Sequence, residues 1–135
     1  MEAIIIQETD ESILDVLTIA LEQENYQVYA LKEDDCDFLA LIEKTRPHVV
    51  MLDYRLSGER CIEIFRQIKA VYPHLPMIAL SCNDNINSVA IELGFDDYIK
   101  KPFDIEHLYA TLRKYISKPA NSILKNYVEK INKPT

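Results

Sequence analysis

The stretch His48-Val49-Val50-Met51-Leu52-Asp53 contains four consecutive apolar residues and ends on a carboxylate. An unbroken apolar run of this length is typical of a strand that is buried on both faces, as the strands of a parallel sheet are. A turn signal, Ser57-Gly58, follows the run. The stretch therefore predicts an internal strand of an α/β fold, with Asp53 at its carboxyl end.

Short apolar runs alternate with amphipathic runs on both sides of this strand. The other strands are predicted at residues 4–6, 26–31, 77–81 and 98–100. Apolar residues at helical spacing predict a first helix, which begins at a cap on Asp10 or Ser12 and stops at Asn25. Further helices are predicted at 35–44, 59–71, 84–93 and 105–116, with Gly94 as the left-handed cap of the fourth. Five such repeats predict one parallel sheet with helices on both faces.

Length and composition restrict the class of protein. The chain has 135 residues, 48% of them hydrophobic and 27% charged, which suits one globular domain. No apolar run approaches the roughly 18 residues of a membrane span, and acidic Glu2 before a short apolar run does not fit a signal peptide. The three cysteines lack C-x-x-C spacing and are expected to be reduced thiols, and the three histidines lack metal-site spacing. We therefore expect a cytoplasmic protein without membrane contact.

Charge is distributed unevenly along the chain. The net charge of −7 argues against direct nucleic-acid binding. Residues 117–135 carry a net charge of +3, so the preceding residues carry −10. Beyond Pro119, apolar residues recur at helical spacing: Ile123, Leu124, Tyr127, Val128 and Ile131. We expect this tail to be either a short amphipathic helix, docked on the domain or paired with a second copy, or a linker.

Three polar side chains end predicted strands. Asp53 ends the third strand, Ser81 ends the fourth, and Lys101 directly follows the fifth. Because the carboxyl ends of parallel strands lie at one edge of the sheet, we expect a carboxylate, a hydroxyl and an ammonium to converge there. A carboxylate can attack phosphorus, and phosphoryl transfer otherwise requires positioning and charge neutralisation. The trio therefore predicts a phosphorylation site.

These motifs together resemble a response-regulator receiver domain. The resemblance rests on Leu52-Asp53 with Gly58 five residues later, on the apolar strand ending in Ser81, and on Lys101-Pro102-Phe103. It covers about residues 3–116 and leaves 117–135 as a tail. The resemblance implies a flavodoxin-like, doubly wound (βα)5 domain with a five-stranded parallel sheet in the order 2-1-3-4-5.

The resemblance also implies a role for each matching residue. Asp53 would accept a phosphoryl group from a histidine kinase, Lys101 would pair with it, and Ser81 would hydrogen-bond the phosphoryl group and move on activation. Tyr98 would be the aromatic switch on the fifth strand. The backbone carbonyl of Arg55 would be a ligand of Mg²⁺, together with Asp53.

The acidic pocket after the first strand departs from the family pattern. Two adjacent acids are usual there, but this chain has Glu8 and Thr9, with Gln7 in place of an apolar residue. Glu8 is therefore a candidate Mg²⁺ ligand, with Thr9 or Asp10 as alternatives for a further position. Losing one carboxylate removes a charge from the metal site, so weak Mg²⁺ binding is expected. Ser57 replaces a common proline and Cys82 a smaller residue beside the phosphoryl site.

The leading hypothesis is a phosphoacceptor switch, which is a signalling domain and not an enzyme in its own right. The implied partners are a histidine kinase or phosphotransfer protein, and a downstream protein or an output domain absent from this chain. A homodimer through the fourth helix, fifth strand and fifth helix is a further expectation.

Other functions remain as alternatives or are set aside. Thr9 favours a divergent receiver that binds proteins independently of phosphorylation. A haloacid-dehalogenase-like phosphatase needs a second Asp two residues after its nucleophile, where this chain has Arg55 after Asp53. A dinucleotide-binding domain needs a glycine-rich first turn, and the chain contains only two glycines.

Overall fold

A computed structural model of the protein describes residues 1–116. The elements in chain order are β1 (Ala3–Gln7), α1 (Glu11–Gln23), β2 (Gln27–Leu31), α2 (Phe38–Thr45), β3 (Val49–Asp53), α3 (Glu59–Val71), β4 (Met77–Ser81), α4 (Ile86–Leu93), β5 (Asp97–Lys100) and α5 (Ile105–Arg113). All neighbouring strands pair in parallel, in the order β2-β1-β3-β4-β5. The predicted fold class and strand order are confirmed. The predicted helix in the tail lies outside the described residues.

The sheet separates two apolar cores. One core packs Leu17 and Leu21 of α1 and Leu108 and Leu112 of α5 against the sheet. The other packs α2, α3 and α4 against the opposite face. Every residue of β1, β3 and β4 is buried, as their continuous apolar sequences predict for central strands. No helix among residues 1–116 is long and apolar enough to cross a membrane.

Aspartates fix the starts of three helices. The side chains of Asp10, Asp37 and Asp104 each accept a hydrogen bond from the backbone N–H three residues later, at 3.1, 3.0 and 2.7 Å. The predicted cap at Asp10 is therefore the one used by α1. The predicted start of the second helix at residue 35 is wrong by three residues, because Asp37 and not an earlier residue forms the cap. The fourth helix likewise begins at Ile86, two residues later than predicted.

The predicted cap at Gly94 is confirmed, and a histidine links two strands. Gly94 ends α4 in the left-handed conformation, at φ 99°. The His48 Nδ1 accepts a hydrogen bond from the Ala3 backbone N–H at 3.2 Å, so this histidine joins β1 to the segment before β3. The sheet order places the ends of β1, β3, β4 and β5 along one edge, where the candidate site lies.

Candidate functional site

Three buried charged side chains meet at the carboxyl edge of the sheet. The Lys101 Nζ lies 2.6 Å from Glu8 Oε1 and 3.1 Å from Asp53 Oδ1. The exposed fractions of the Glu8, Asp53 and Lys101 side chains are 1%, 2% and 8%. Glu8 directly follows β1, Asp53 ends β3 and Lys101 directly follows β5, so the parallel sheet brings the three side chains together. We call Glu8, Asp53 and Lys101 the charged triad.

Backbone donors complete the triad. The Thr9 N–H donates to Asp53 Oδ2 at 3.1 Å, and the Asp10 N–H donates to Glu8 Oε2 at 3.0 Å. All four carboxylate oxygens of Glu8 and Asp53 therefore accept a hydrogen bond from Lys101 or from the backbone. Such contacts fix the orientation of both carboxylates. The Asp10 side chain is committed to capping α1 instead.

The triad contains two carboxylates and one ammonium. Burial raises the pKa of the Glu8 carboxyl, and the charge of Asp53 adds to this, although Lys101 and the Asp10 N–H act against it. Burial alone would lower the pKa of Lys101, but its hydrogen bonds to Glu8 and Asp53 and their charges raise it above its ordinary value. Lys101 is therefore a stable cation beside Asp53 at neutral pH.

Ser81 lies at the end of β4 and is fully buried. Its Oγ accepts a hydrogen bond from the Asn83 N–H at 3.0 Å, and its carbonyl accepts one from the Lys101 N–H at 2.7 Å. The side chain therefore bonds to the loop after β4 and not to the charged triad. A hydroxyl that accepts in this way keeps its own hydrogen available for a further partner.

An open cavity of about 500 Å³ borders the triad. Its lining includes Asp53, Arg55, Cys82 and Asn83 in addition to Glu8 and Lys101. A phosphoryl group is small compared with this volume. Asp53 is thus buried enough to be held in place, and still faces a space that a phosphoryl donor can enter.

The loop after β3 places Arg55 in the lining of the cavity. The Gly58 N–H donates to the Arg55 carbonyl at 2.7 Å, and the Tyr54 hydroxyl donates to the Ser57 carbonyl at 3.0 Å. Gly58 has φ 75°, and a Cβ there would lie 2.1 Å from the Tyr54 ring. Only glycine suits this position, which explains the turn signal after Asp53.

A smaller cavity of about 230 Å³ borders Asp53 on the side of α3. Gln7 contributes to its lining, and its side-chain N–H donates to the Lys32 carbonyl at 3.1 Å. Burial raises the pKa of the Cys61 thiol in this lining to about 12, and the charge of Asp53 contributes. Cys61 is therefore an unreactive thiol at neutral pH.

The predicted Mg²⁺ ligands can be tested against this geometry. Glu8, Asp53 and Arg55 all line the larger cavity, and carboxylate and carbonyl oxygens are the ligands that Mg²⁺ prefers. Within residues 1–116, however, no group of three or more Asp, Glu, His or Cys is arranged for a metal. Both carboxylates already accept hydrogen bonds from Lys101 or the backbone, and the Arg55 carbonyl accepts one from the Gly58 N–H.

Tyr98 lies on β5, opposite Ala79 of β4, and its half-buried side chain packs against the core formed with α2, α3 and α4.

Asn83 is a site residue that the sequence did not indicate. Its backbone N–H holds Ser81, and its side-chain N–H donates to the Leu56 carbonyl at 3.1 Å. Its position two residues after a serine is a known signal for a serine-backbone turn, which could have identified it.

Comparisons with known proteins bear on the family and the fold of the chain. The sequence profile of the family described as response regulator receiver domain matches residues 4–113. The receiver domain of NtrX from Brucella abortus is 28% identical, with a TM-score of 0.71 over 83% of this chain and 96% of that one.

Two further structures share the fold at lower identity. The N-terminal signal receiver domain of a response regulator from Bacteroides fragilis is 22% identical, with a TM-score of 0.76 over 87% of this chain and 98% of that one. The response regulator protein TrrA from Thermotoga maritima, solved in complex with Mg²⁺-BeF, is 20% identical, with a TM-score of 0.74 over 86% and 100%. Because the family profile spans most of the sequence, this chain belongs to the response regulator receiver domain family of two-component systems.

Proposed function

We propose that Asp53 accepts a phosphoryl group from a phosphohistidine of a histidine kinase or phosphotransfer protein. One Asp53 oxygen forms the new bond to phosphorus while the bond from phosphorus to the donor nitrogen breaks, and the product is an acyl phosphate. The observation that carries this proposal is the buried cation Lys101, 3.1 Å from Asp53 beside an open cavity.

Lys101 supplies the charge compensation in this proposal. A phosphoryl group brings negative charge next to Asp53, and a preorganised ammonium in a buried site stabilises such charge well. Glu8 holds Lys101 in place at 2.6 Å, so the ammonium does not have to be ordered when the phosphoryl group arrives. Ser81 is the proposed donor of a hydrogen bond to a phosphoryl oxygen, through its remaining hydroxyl hydrogen.

Mg²⁺ would be held by Asp53, Glu8 and the Arg55 carbonyl, and would neutralise part of the phosphoryl charge when bound. We propose that this binding is weak. Thr9 offers a neutral side chain where a second acid would add charge, and Glu8 is already engaged by Lys101 and the Asp10 N–H.

Phosphorylation is proposed to switch the surface formed by α4, β5 and α5. Ser81 and Tyr98 lie on adjacent paired strands, so a movement of the Ser81 hydroxyl is transmitted over a short distance to the Tyr98 ring. This surface is the proposed contact for a downstream protein, an output domain or a second copy.

The protein is proposed to act in the cytoplasm without contacting nucleic acid, which suits its free cysteines and its acidic body.

One observation favours a second candidate function, a protein-binding module that works without phosphorylation. All four carboxylate oxygens of Glu8 and Asp53 accept hydrogen bonds within the domain, so the site is internally satisfied.

The two functions can be separated by weighing the intact protein after incubation with acetyl phosphate and Mg²⁺. The phosphoacceptor function predicts a gain of one phosphoryl group, which Asp53→Asn abolishes and which the exposed control Asp35→Asn retains. A chain that never gains mass would support the constitutive module, and an adduct that survives Asp53→Asn would place the acceptor elsewhere.

A further inference from the structure

Asn83 joins the two loops that border the phosphorylation cavity. Its backbone N–H donates to Ser81 Oγ, at the end of β4, over 3.0 Å. Its side-chain N–H donates to the Leu56 carbonyl, in the loop after β3, over 3.1 Å. Asn83 and Leu56 both line the cavity beside Asp53. One residue therefore bonds both to the hydroxyl that is proposed to contact the phosphoryl group and to the loop after β3. We call these two hydrogen bonds the Asn83 bridge.

The loop after β3 contains a turn whose backbone does not suit leucine. The Gly58 N–H donates to the Arg55 carbonyl at 2.7 Å and closes a four-residue turn over 55–58. Leu56, the second residue of this turn, has φ 53°, in the left-handed region. Glycine, asparagine and aspartate adopt this conformation readily, whereas it is strained in leucine. The Leu56 side chain is 85% exposed, so its burial does not offset the strain. The Asn83 side chain supplies a hydrogen bond from outside the loop, which holds Leu56 in this conformation.

The turn lies between the two cavities that border Asp53. Arg55 and Leu56 line both the larger cavity and the smaller cavity on the side of α3. Tyr54, which precedes the turn, is buried, and its backbone N–H donates to a carbonyl of β4 at 2.7 Å. The helix α3 begins directly after the turn. Both ends of the turn are therefore anchored, and a change of its conformation is confined to residues 55–58.

The loop after β4 is held near the surface by contacts that solvent weakens. Lys100 Nζ lies 2.7 Å from Asp84 Oδ1, but this pair is exposed and therefore screened. Asn85, at the start of α4, forms no side-chain cap hydrogen bond. Ser81 is fully buried, so its hydrogen bond with the Asn83 N–H ties this loop to the core. Loss of that hydrogen bond should allow the loop to move.

We propose that Asn83 couples phosphorylation to the turn at 55–58, so that phosphorylation changes the surface of the loop after β3 in addition to that of α4, β5 and α5. This inference rests on the proposed function, in which Ser81 turns its hydroxyl to the phosphoryl group. The Asn83 N–H then loses its acceptor, the loop after β4 shifts, and the Asn83 side chain leaves the Leu56 carbonyl. Leu56 relaxes from its left-handed conformation, and its exposed side chain moves. Asn83 is thus a positioning residue that acts through Ser81 and Leu56.

Exchange of the Gly58 amide hydrogen reports on the turn, because this N–H closes it. The rate is measured by NMR in the full chain. Asn83→Ala removes the side-chain hydrogen bond to Leu56 and keeps the backbone N–H that Ser81 accepts. Without any phosphoryl mimic it should speed Gly58 exchange roughly two- to tenfold, as expected for the loss of one hydrogen bond. The matched control is Asn85→Ala, an exposed asparagine without a side-chain cap hydrogen bond, which should leave the rate unchanged.

The phosphoryl mimic tests the coupling. Beryllofluoride with Mg²⁺ should speed Gly58 exchange by a similar factor in the wild type and in Asn85→Ala. In Asn83→Ala the mimic should add nothing further, because the side-chain half of the Asn83 bridge is already absent. Mg²⁺ alone should leave the rate unchanged. This control is needed because the Arg55 carbonyl, which accepts from the Gly58 N–H, is also a candidate Mg²⁺ ligand.

The outcomes separate this inference from the proposed function. Equal Gly58 exchange in the wild type and in Asn83→Ala without the mimic would overturn the inference. An equal rise with the mimic in both proteins, or a full rise with Mg²⁺ alone, would also overturn it, because the turn would then respond without Asn83. A response across residues 84–103 without one at Gly58 would overturn the coupling and leave the proposed function intact. If neither region responds and Asp53 gains no phosphoryl group from acetyl phosphate, the proposed function fails and the coupling fails with it.

Discussion

Lys101 Nζ lies 2.6 Å from Glu8 Oε1, which is shorter than its 3.1 Å contact with Asp53 Oδ1. Glu8, the one acid of the Glu8-Thr9 pair after β1, is thus the closer partner of the lysine. Glu8 has one more methylene than aspartate, and this length lets its carboxylate reach Lys101 while it also accepts from the Asp10 N–H. One carboxylate therefore orders the ammonium and is at the same time a candidate metal ligand.

Lys101→Met should destabilise the domain by roughly 1–3 kcal/mol at neutral pH, because it leaves two buried carboxylates without their cation. The adjacent Lys100 provides a matched control, since its 2.7 Å pair with Asp84 is exposed. Lys100→Met should change stability little, because solvent screens an exposed ion pair. Urea denaturation of both variants measures the difference, and equal losses of stability would show that the triad is not a coupled structural unit.

The raised pKa of Glu8 predicts the sign of a pH dependence. A carboxyl with a higher pKa in the folded state binds its proton more tightly there, so its contribution to stability is present below its ordinary pKa of 4.5 and is lost as pH rises through the folded value. Relative to Glu8→Gln, the wild type should therefore lose stability as pH rises from 4.5. Urea denaturation of both proteins at a series of pH values, in buffer that contains a metal chelator, measures this difference in stability. If the stability of the wild type relative to Glu8→Gln does not change with pH, or increases with pH, the pKa of Glu8 is not raised by folding.

Thr9→Asp should tighten Mg²⁺ binding by roughly 1–2 kcal/mol, because a new carboxylate reaches the cation at a partly screened site. The chain has no tryptophan and eight tyrosines, so tyrosine fluorescence can follow the titration. Ser12→Asp adds the same charge to the exposed start of α1, outside the cavity lining, and should have little effect. Unchanged affinity in Thr9→Asp would mean that Glu8 or Asp10 already occupies the position.

The fold was predictable because its signals are local. Central strands that are buried on both faces appear in the sequence as unbroken apolar runs. The carboxyl ends of parallel strands lie at one edge of the sheet, so the sequence alone predicts that Asp53 and Lys101 lie close together. The predicted starts of helices were less accurate where several neighbouring residues can each cap the helix. Asp34, Asp35 and Asp37 are all capping residues by type, and only the folded chain selects Asp37.

Contacts that depend on side-chain reach were beyond sequence reasoning. The Glu8 contact with Lys101 joins residues 93 positions apart, and it depends on one rotamer of a long side chain. Asn83 acquires its role by binding Ser81 and the Leu56 carbonyl together, and the second of these partners is fixed only when the loops after β3 and β4 pack.

The last prediction concerns the switch. Binding of the beryllofluoride phosphoryl mimic at Asp53 should draw the Ser81 hydroxyl toward the new acceptor atoms. The Asn83 N–H then loses its acceptor at 3.0 Å, and amide hydrogen exchange should change across residues 82–103, which include α4 and β5. Such a two-state element shifts only as far as the mimic favours one state over the other. The segment 59–71, which forms α3 and lies off this route, is the internal control, and Asp53→Asn should abolish the response. Unchanged protection across 82–103 with the mimic bound would favour the module that binds its partner without phosphorylation.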